Sequence, residues 1–355
     1  MNAKAPQTCS TCFTTTEFPG ATIGEDGRCN FCKCNTLAER ISGHKRSTLE
    51  ALRKLVEEVR AGKLGKYDCI IGASGGFDSS YMLYLAKREL GLNPLAVKYD
   101  HGFNYDSGDE NLKTICTALG VDLRIVASPA HRDVQYVRHI LKAMRPADIY
   151  WGICSACHYV QPAAVAKIAA EEGIPMIISA YNYFEADLRV PRLFKLKFVL
   201  RSLAKVAPWR WPGILYHLVA SKYQLFRLKL EYYIPPFGNL FRAEPRIQIR
   251  RVMVSEFIDW NVNKILDTLE ALGWKSPVGR ALPMRFDCMI DDSFMNYTFQ
   301  KATGLHTHAI IANNLIYNGV RTKAELQETS AEYARKAATR VRQETQRILS
   351  GVHKT

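Results

Sequence analysis

Three sets of residues in this sequence have types and spacings that do chemistry. The first is Ile70-Ile71-Gly72-Ala73-Ser74-Gly75-Gly76-Phe77-Asp78-Ser79-Ser80. An apolar run ends, a Ser-Gly-Gly turn follows, and a helix is expected to begin at Asp78 or Ser79. Two consecutive glycines let backbone N–H groups close around an anion with no Cβ in the way. The helix that follows adds its dipole and its leading N–H groups. Ser74, Ser79 and Ser80 supply hydroxyl donors. A bare phosphate would repel Asp78, so this carboxylate is assigned to Mg2+ bridging phosphates. The bland alternative is a Gly-rich βα turn with a helix cap. The Gly-Lys-Ser/Thr ending of a Walker A loop is absent.

The second set is Cys9-x2-Cys12 and Cys29-x2-Cys32, with sixteen residues between the pairs. Four thiolates at this spacing suit tetrahedral zinc, and a short Cys-rich segment with little core is held by its metal. Cys34 is a spare or a rival ligand, and an RNA contact is a second use open to the segment. The third set is Cys154-Ser155-Ala156-Cys157-His158, with Cys288 far away in Arg285-Phe286-Asp287-Cys288. In a reducing cytoplasm close Cys pairs bind metal or do chemistry more often than they form disulfides. The alternative is a buried or persulfide-forming pair and a packed Cys288. Cys69 and Cys116 read as core.

These residues need a frame. The chain has 355 residues, 47% hydrophobic and 23% charged, which excludes a disordered tail or a fibre. Its length implies two or three domains and a core that needs no disulfide staples. No apolar run reaches the ~18 residues of a membrane span, and Met1 to Pro6 lacks a signal-peptide core, so a cytoplasmic protein is expected. Four regions are expected: a zinc ribbon over 1–45, a domain carrying the phosphate-type loop over 46–190, a basic aromatic helical insertion over 191–251 and a helical region over 252–355. In the second, strands over Asp68–Ile71, Leu95–Tyr99, Leu123–Val126 and Pro175–Ser179 alternate with helices over Leu49–Val59, Tyr81–Leu90, Asp109–Leu119 and Ala163–Glu172. That alternation implies an α/β fold with a doubly wound parallel sheet. A strongly charged helix over about Thr322–Leu349 is expected to close the chain.

The net charge is +14, and residues 191–251 hold thirteen Lys/Arg against two Glu, most of that excess. The same stretch is rich in aromatics, including Phe194, Phe198, Trp209, Trp211, Tyr216, Tyr223, Phe226, Tyr232 and Tyr233, with Leu193, Leu196, Leu200 and Leu203 at helical spacing. Three readings are open: an RNA contact, an element at an anionic membrane surface, or a helical insertion with a solvated basic face. The protein would be peripheral at the inner membrane surface in the second case.

Ser74-Gly75-Gly76-Phe77-Asp78-Ser79 resembles the SGGxDS signature of the PP-loop, or N-type, ATP pyrophosphatases. The resemblance implies an enzyme that cleaves ATP between the α- and β-phosphates, adenylates a carbonyl- or amide-type oxygen, and lets a nitrogen or sulfur nucleophile displace AMP. It implies ATP contacts at Ala73, Ser74, Gly75, Gly76, Asp78, Ser79 and Ser80. Val97-Lys98-Tyr99-Asp100-His101-Gly102-Phe103-Asn104 resembles the segment that passes the adenine and ribose in tRNA-modifying members, which adds Tyr99 and Asp100. After the fourth strand the family carries Gly-His-Asn-x-Asp-Asp. Here Asn182 and Glu185 correspond in place or type, and Asp187 lies two residues further on. Two close cysteines and one distant one resemble the thiolases of this family that hold a 4Fe–4S cluster on three thiolates, implying such a cluster on Cys154, Cys157 and Cys288. A second resemblance, to N-acetyl sugar amidotransferases of lipopolysaccharide synthesis, runs through the N-terminal Cys segment, Trp260-Asn261, Gly273-Trp274-Lys275 and Asn318-Gly319-x-Arg321-Thr322-Lys323-Ala324-Glu325. Those enzymes take ammonia from a separate glutaminase and need no sulfur ligands.

The expectation is therefore an ATP- and Mg2+-dependent adenylating enzyme with structural Zn2+. Asp78, Cys154, Cys157 and Cys288 would carry its chemistry, transferring sulfur from a cluster or persulfide to tRNA or a small metabolite. Ammonia transfer to a nucleotide sugar is the first alternative. A non-catalytic zinc-ribbon RNA-binding protein is the second.

Overall fold

The computed structural model describes residues 6–33, 47–127, 129–143, 153–180, 206–233, 248–277, 279–281 and 288–350. Its centre is a five-stranded, all-parallel sheet of β1 (Cys69–Gly72), β2 (Pro94–Asp100), β3 (Asp122–Ala127), β4 (Met176–Ser179) and β5 (Arg250–Met253). The order across the sheet is β3-β2-β1-β4-β5. The chain thus winds outward from β1 to one edge, then returns to build the other side. The four expected strands are present, each within one residue or so of its predicted ends.

β5 was not among the expected strands, and it lies across the 251/252 boundary. Arg250 and Arg251 are exposed, and only Val252 is buried. An edge strand of this kind has no alternating apolar signature. It pairs in register with β4, Met176 opposite Arg250 through Ser179 opposite Met253.

Successive strand residues face opposite sides. Cys69, Ile71, Ala96, Met176, Ile178 and Val252 join one core, under α1 (Leu49–Arg60), α2 (Phe77–Tyr84), α3 (Asp106–Leu119) and α7 (Val262–Ala271). Ile70, Leu95, Val97 and Ile177 join a second core with Val165, Ile168 and Ala169 of α5 (Ser155–Glu171). The sheet is therefore covered on both faces, as the alternation of elements implied. Cys69 and Cys116 are buried, and burial pushes the Cys116 thiol up to about 11. α2 starts at Phe77, one residue before the expected start, and runs on through a π turn at Leu85–Glu89.

α4 (Arg132–Ala143) precedes α5, and both pack against α6 (Trp211–Tyr233). α4 was also unforeseen, although Val134, Val137, Ile140 and Leu141 repeat at helical spacing and are all buried. The C-terminal region is helical as expected, with α8 (Asn296–Thr303), α9 (Thr307–Tyr317) and α10 (Lys323–Ser350). Of the basic segment, Leu193, Phe194, Leu196, Phe198, Leu200 and Leu203 lie outside the described residues.

His306 caps α9 and joins it to α10. Its Nδ1 accepts from the Ala309 N–H at 3.1 Å, which leaves the proton on Nε2, 3.1 Å from Ser330 Oγ. Burial, then the charge of His308, lowers its pKa to about 3. An unfolded His takes a proton near pH ~6.5. The folded ring resists protonation until about 3. Its contribution to stability is therefore complete above pH ~6.5 and is lost as pH falls toward about 3. His306→Asn, which keeps a capping acceptor, should be less stable than the parent at pH 7, and the gap in urea midpoint should shrink by pH 5.

Candidate active site and metal centre

β1 ends at Gly72 and the phosphate-type loop follows. The Ala73 N–H donates to Val97 O at 2.8 Å, which ties the loop to β2. Gly75 has φ +84°, open to glycine and strained for other residues. A Cβ there would lie 1.8 Å from Gly108 O, so the loop backbone packs directly on α3. The Gly75 carbonyl accepts from Trp274 Nε1 at 2.9 Å. Trp274 also meets the Phe77 ring edge-on, and Asn111 holds the next residue by two backbone bonds, to Lys275 O at 2.8 Å and from Lys275 N at 2.9 Å.

Within the loop, Ser79 Oγ accepts from the Ser74 N–H at 3.3 Å and donates to Gly76 O at 3.2 Å, while Ser74 Oγ accepts from the Gly76 N–H at 3.4 Å. Gly76 is the N-cap of α2 and no side chain caps that end. The leading amides of α2 are thus left for a ligand. Ser74, Gly76 and Asp78 are half-buried at the surface of this cradle. Ser80 is wholly buried behind it, and its hydroxyl has no hydrogen-bond partner among the described residues.

The β2 segment turns inward more than the sequence implied. Tyr99 is buried, and its hydroxyl donates to Asp133 Oδ2 at 2.7 Å. Lys98 is buried in an ion pair with Asp109 of α3. Asp100 Oδ1 accepts from the Gly102 N–H at 2.9 Å and Asn104 Nδ2 at 3.0 Å, which closes a tight turn. That turn carries Asn104 into an antiparallel bridge with Cys288, next to a bond from the Met289 N–H to Phe103 O at 2.9 Å.

The same bridge brings Cys288 to the other cysteines. Cys154 is the N-cap residue of α5 and Cys157 lies in its first turn. Cys154 and Cys288 pack on one apolar cluster that includes Tyr99, Phe103, Ile153 and Ile290. Cys157 Sγ is 3.9 Å from Asp133 Oδ1. Burial, then the charges of Asp133, Cys288 and Cys154, push the Cys157 thiol well up. Cys154 and Cys288, from two distant parts of the chain, thus meet one apolar cluster, and charge on either would weigh on the Cys157 thiol. Among the described residues only the N-terminal four cysteines bring three or more sulfurs within 4.8 Å of one another.

α5 runs back against the strands, so its N-terminus shares the carboxyl edge of the sheet with the Ser74–Ser80 loop. That edge, where the winding reverses between β1 and β4, is where open α/β sheets bind ligands. Asn182, Glu185 and Asp187, which follow β4, lie outside the described residues.

Asp133 was not picked out by the sequence, because the helix that carries it was not. A second buried network stands beside Cys288. Asp292 accepts from Tyr105 at 2.8 Å and from Arg340, and lies 3.3 Å from His308 Nε2. Burial alone would raise its pKa, but His308 and Arg340 hold it below the usual carboxylate range.

The N-terminal cysteines come together as expected. The Sγ atoms of Cys9, Cys12, Cys29 and Cys32 lie within 4.8 Å of one another. Antiparallel bridges Thr8–Thr15 and Ile23–Cys29 fold the two knuckles. Backbone N–H groups of Thr11, Thr14, Cys29 and Cys32 point at the sulfurs at 3.2–3.4 Å. Hydrogen bonding from Cys32, then from Thr14 and Tyr317, lowers Cys12 to about 5. Such a set fits tetrahedral zinc. Cys34 lies outside the described residues. The knuckles dock on the C-terminal helices and not on the sheet. Phe13 N donates to Asn313 Oδ1 at 2.8 Å, Lys323 Nζ to Cys9 O at 2.7 Å, and Phe18 packs among Phe299, Leu305 and Ile310.

No protein-family model matches the chain. Over 80 residues it is 38% identical to the uncharacterized protein MJ1599 of Methanocaldococcus jannaschii. That stretch is 22% of this chain and 29% of the other, so the match spans less than a third of the curated relative. Among solved structures it is similar to the tRNA thiolase NcsA of Methanococcus maripaludis with its 4Fe–4S cluster, at 15% identity and TM-score 0.37 over 98% of this chain and 89% of that one. It is similar to the NMN synthetase of Francisella tularensis at 12% and 0.36, over 85% and 95%. It is similar to the NH3-dependent NAD synthetase of Campylobacter jejuni at 13% and 0.30, over 56% and 98%.

Two outcomes are expected of this geometry. Gly75→Ala should lower stability by about 2 kcal/mol or more, from the left-handed φ and the clash with Gly108, and should weaken binding of a non-hydrolysable nucleotide in calorimetry. If the knuckles hold zinc, elemental analysis should give one zinc for the parent and none for Cys29→Ser, with a lower melting temperature because the docked segment loosens.

Proposed function

We propose that the chain is an ATP-dependent adenylating enzyme of the PP-loop pyrophosphatase type, with sulfur as the nucleophile of its second half-reaction. The observation that supports this reading is that Cys154 and Cys288, far apart in sequence, pack on one apolar cluster and both weigh on the Cys157 thiol, with Cys154 and Cys157 at the helix end that faces the carboxyl edge of the sheet.

In the first half-reaction the loop and the amides of α2 bind the triphosphate, and Asp78 holds Mg2+ on it. A carbonyl- or amide-type oxygen of the acceptor attacks the α-phosphorus, and the bond to the β-phosphate oxygen breaks. Fixed backbone dipoles stabilise the charge that develops on the departing pyrophosphate. In the second, sulfur adds to the activated carbon, and AMP leaves with the original oxygen. When bound, a cluster held by three thiolates supplies an iron with a position open to sulfide. The chain's own part is to keep the site dry and the thiols in place. Asp133, held by Tyr99, accepts from Cys157 and keeps it protonated until a metal or an electrophile takes the place of that proton. The acceptor is tRNA or a small metabolite, and a separate sulfur donor is required.

Ammonia transfer to a sugar shares the first half-reaction. The Gly273-Trp274-Lys275 segment, which resembles the amidotransferases, braces the phosphate loop through Trp274 and Asn111. It therefore serves the step common to both readings. The cysteines favour sulfur.

Anaerobically purified protein should contain about four irons and acid-labile sulfide beside its zinc. Cys154→Ala and Cys288→Ala should each lose the iron and keep the zinc. Zinc alone, with no iron on reconstitution and no sulfane sulfur on the cysteines, would sink the sulfur reading. Asp78→Ala should cut pyrophosphate release by about a hundredfold or more with the fold intact by circular dichroism. Undiminished release would remove the assignment of the ATP site.

A further inference from the structure

α6 has two apolar faces. Ile214 is buried, and Leu225 and Leu228, with half-buried Leu218, join the core shared with α4 and α5. A second face, turned about 100° from the first, is in solvent. Leu215, Tyr216, Val219, Tyr223 and Phe226 are each 52–65% exposed, Trp211 is 41% exposed, and Trp209, just before the helix, is 82% exposed. At about 100° per residue, Trp211, Leu215, Val219 and Phe226 fall within a sector of roughly 80°, and the two tyrosines border it on one side. Single exposed apolar residues are ordinary, but a run of them along one side of a helix marks an interaction surface.

The charge along the stripe is mostly positive. Lys222 falls within its sector, Arg210 precedes it and Arg227 lies beyond the tyrosines, and the acids of this part of the chain are Glu231, in the last turn of α6, and Glu244. The sequence on either side adds Lys195, Lys197, Arg201 and Lys205 before the helix and Arg242 and Arg246 after it. No helix among the described residues is long and apolar enough to cross a membrane, so α6 would lie on a bilayer and not through it.

We propose that this face of α6 docks the protein on an anionic lipid surface. Trp209, Trp211, Leu215, Val219 and Phe226 enter the boundary of the acyl chains, and Arg210, Lys222 and Arg227 meet headgroup phosphates. The chemistry favours this occupant over two others. A second copy seated through the same stripe would bring two strongly basic segments face to face, a repulsive arrangement. A nucleic acid would satisfy the cations and could stack on the aromatics, but offers nothing to Leu215 and Val219 at the centre of the stripe. Hydrocarbon under anionic headgroups satisfies both sets at once. The proposal is independent of the nucleophile in the reaction.

The test is co-sedimentation of the full chain with vesicles of phosphatidylcholine alone and of phosphatidylcholine mixed equally with phosphatidylglycerol. Binding should require the anionic lipid and weaken as salt rises. Brominated acyl chains should quench the tryptophan fluorescence. The variant Leu215→Ser/Val219→Ser/Phe226→Ser changes only exposed positions and should keep its circular dichroism and melting temperature. Its vesicle partition should fall at least about tenfold. Failure of the parent to bind anionic vesicles, or equal binding by the variant, would overturn the proposal. So would a self-association that the variant abolishes without lipid, or retention by RNA that the variant abolishes while vesicles go unbound.

Discussion

The contact on which the site depends is between two backbones, Gly75 against Gly108. It requires a left-handed residue without a Cβ on one side and a helix with no side chain in the way on the other. It sets the N-termini of α2 and α3 side by side at the end of β1. Everything that frames the proposed nucleotide cradle follows from this approach. Trp274 can reach the Gly75 carbonyl only because the loop is pressed that far inward, and Asn111, one turn along α3, then fixes the chain that carries Trp274. The C-terminal region is thereby braced against the loop without entering it.

What was legible in the sequence was what is local. The Ser-Gly-Gly loop, four strands and the Cys9/Cys12/Cys29/Cys32 knuckles each declare themselves within a few residues, because turn geometry and thiolate spacing are local constraints. What was hidden depends on contacts across the chain. Spacing gives Cys288 no partner, and only the resemblance to cluster-bearing thiolases groups it with Cys154 and Cys157. It is placed by the turn at Asp100–Asn104, where one carboxylate oxygen gathers two donors. Asp133 is silent because an acid at the start of a helix is ordinary until Tyr99 and Cys157 are seen to face it. β5 is missed because its Arg-Arg start reads as part of the basic segment, and pairing with β4 overrides that local preference. Tyr99 is a ligand contact only through the resemblance of its segment, and its hydroxyl donates to Asp133 inside the core.

The arrangement separates three roles on one chain. The sheet edge gathers loop and cysteines. The helices α4 and α6 cover the face behind the cysteines, and α6 presents its second face outward. The N-terminal cysteine knuckles take no part in the sheet and rest on α9 instead, where Asn313 holds both Phe13 and Thr14 and Tyr317 reaches Cys12. A metal on those cysteines would therefore bear on the seat of the C-terminal helices more than on the nucleotide loop.

That seat joins residues some 300 positions apart. A polypeptide made from its N-terminus exposes the four cysteines long before the helix that receives them. The knuckle therefore stands without its platform through some 300 residues of synthesis, and a chain cut before Tyr317 would leave it with nowhere to dock.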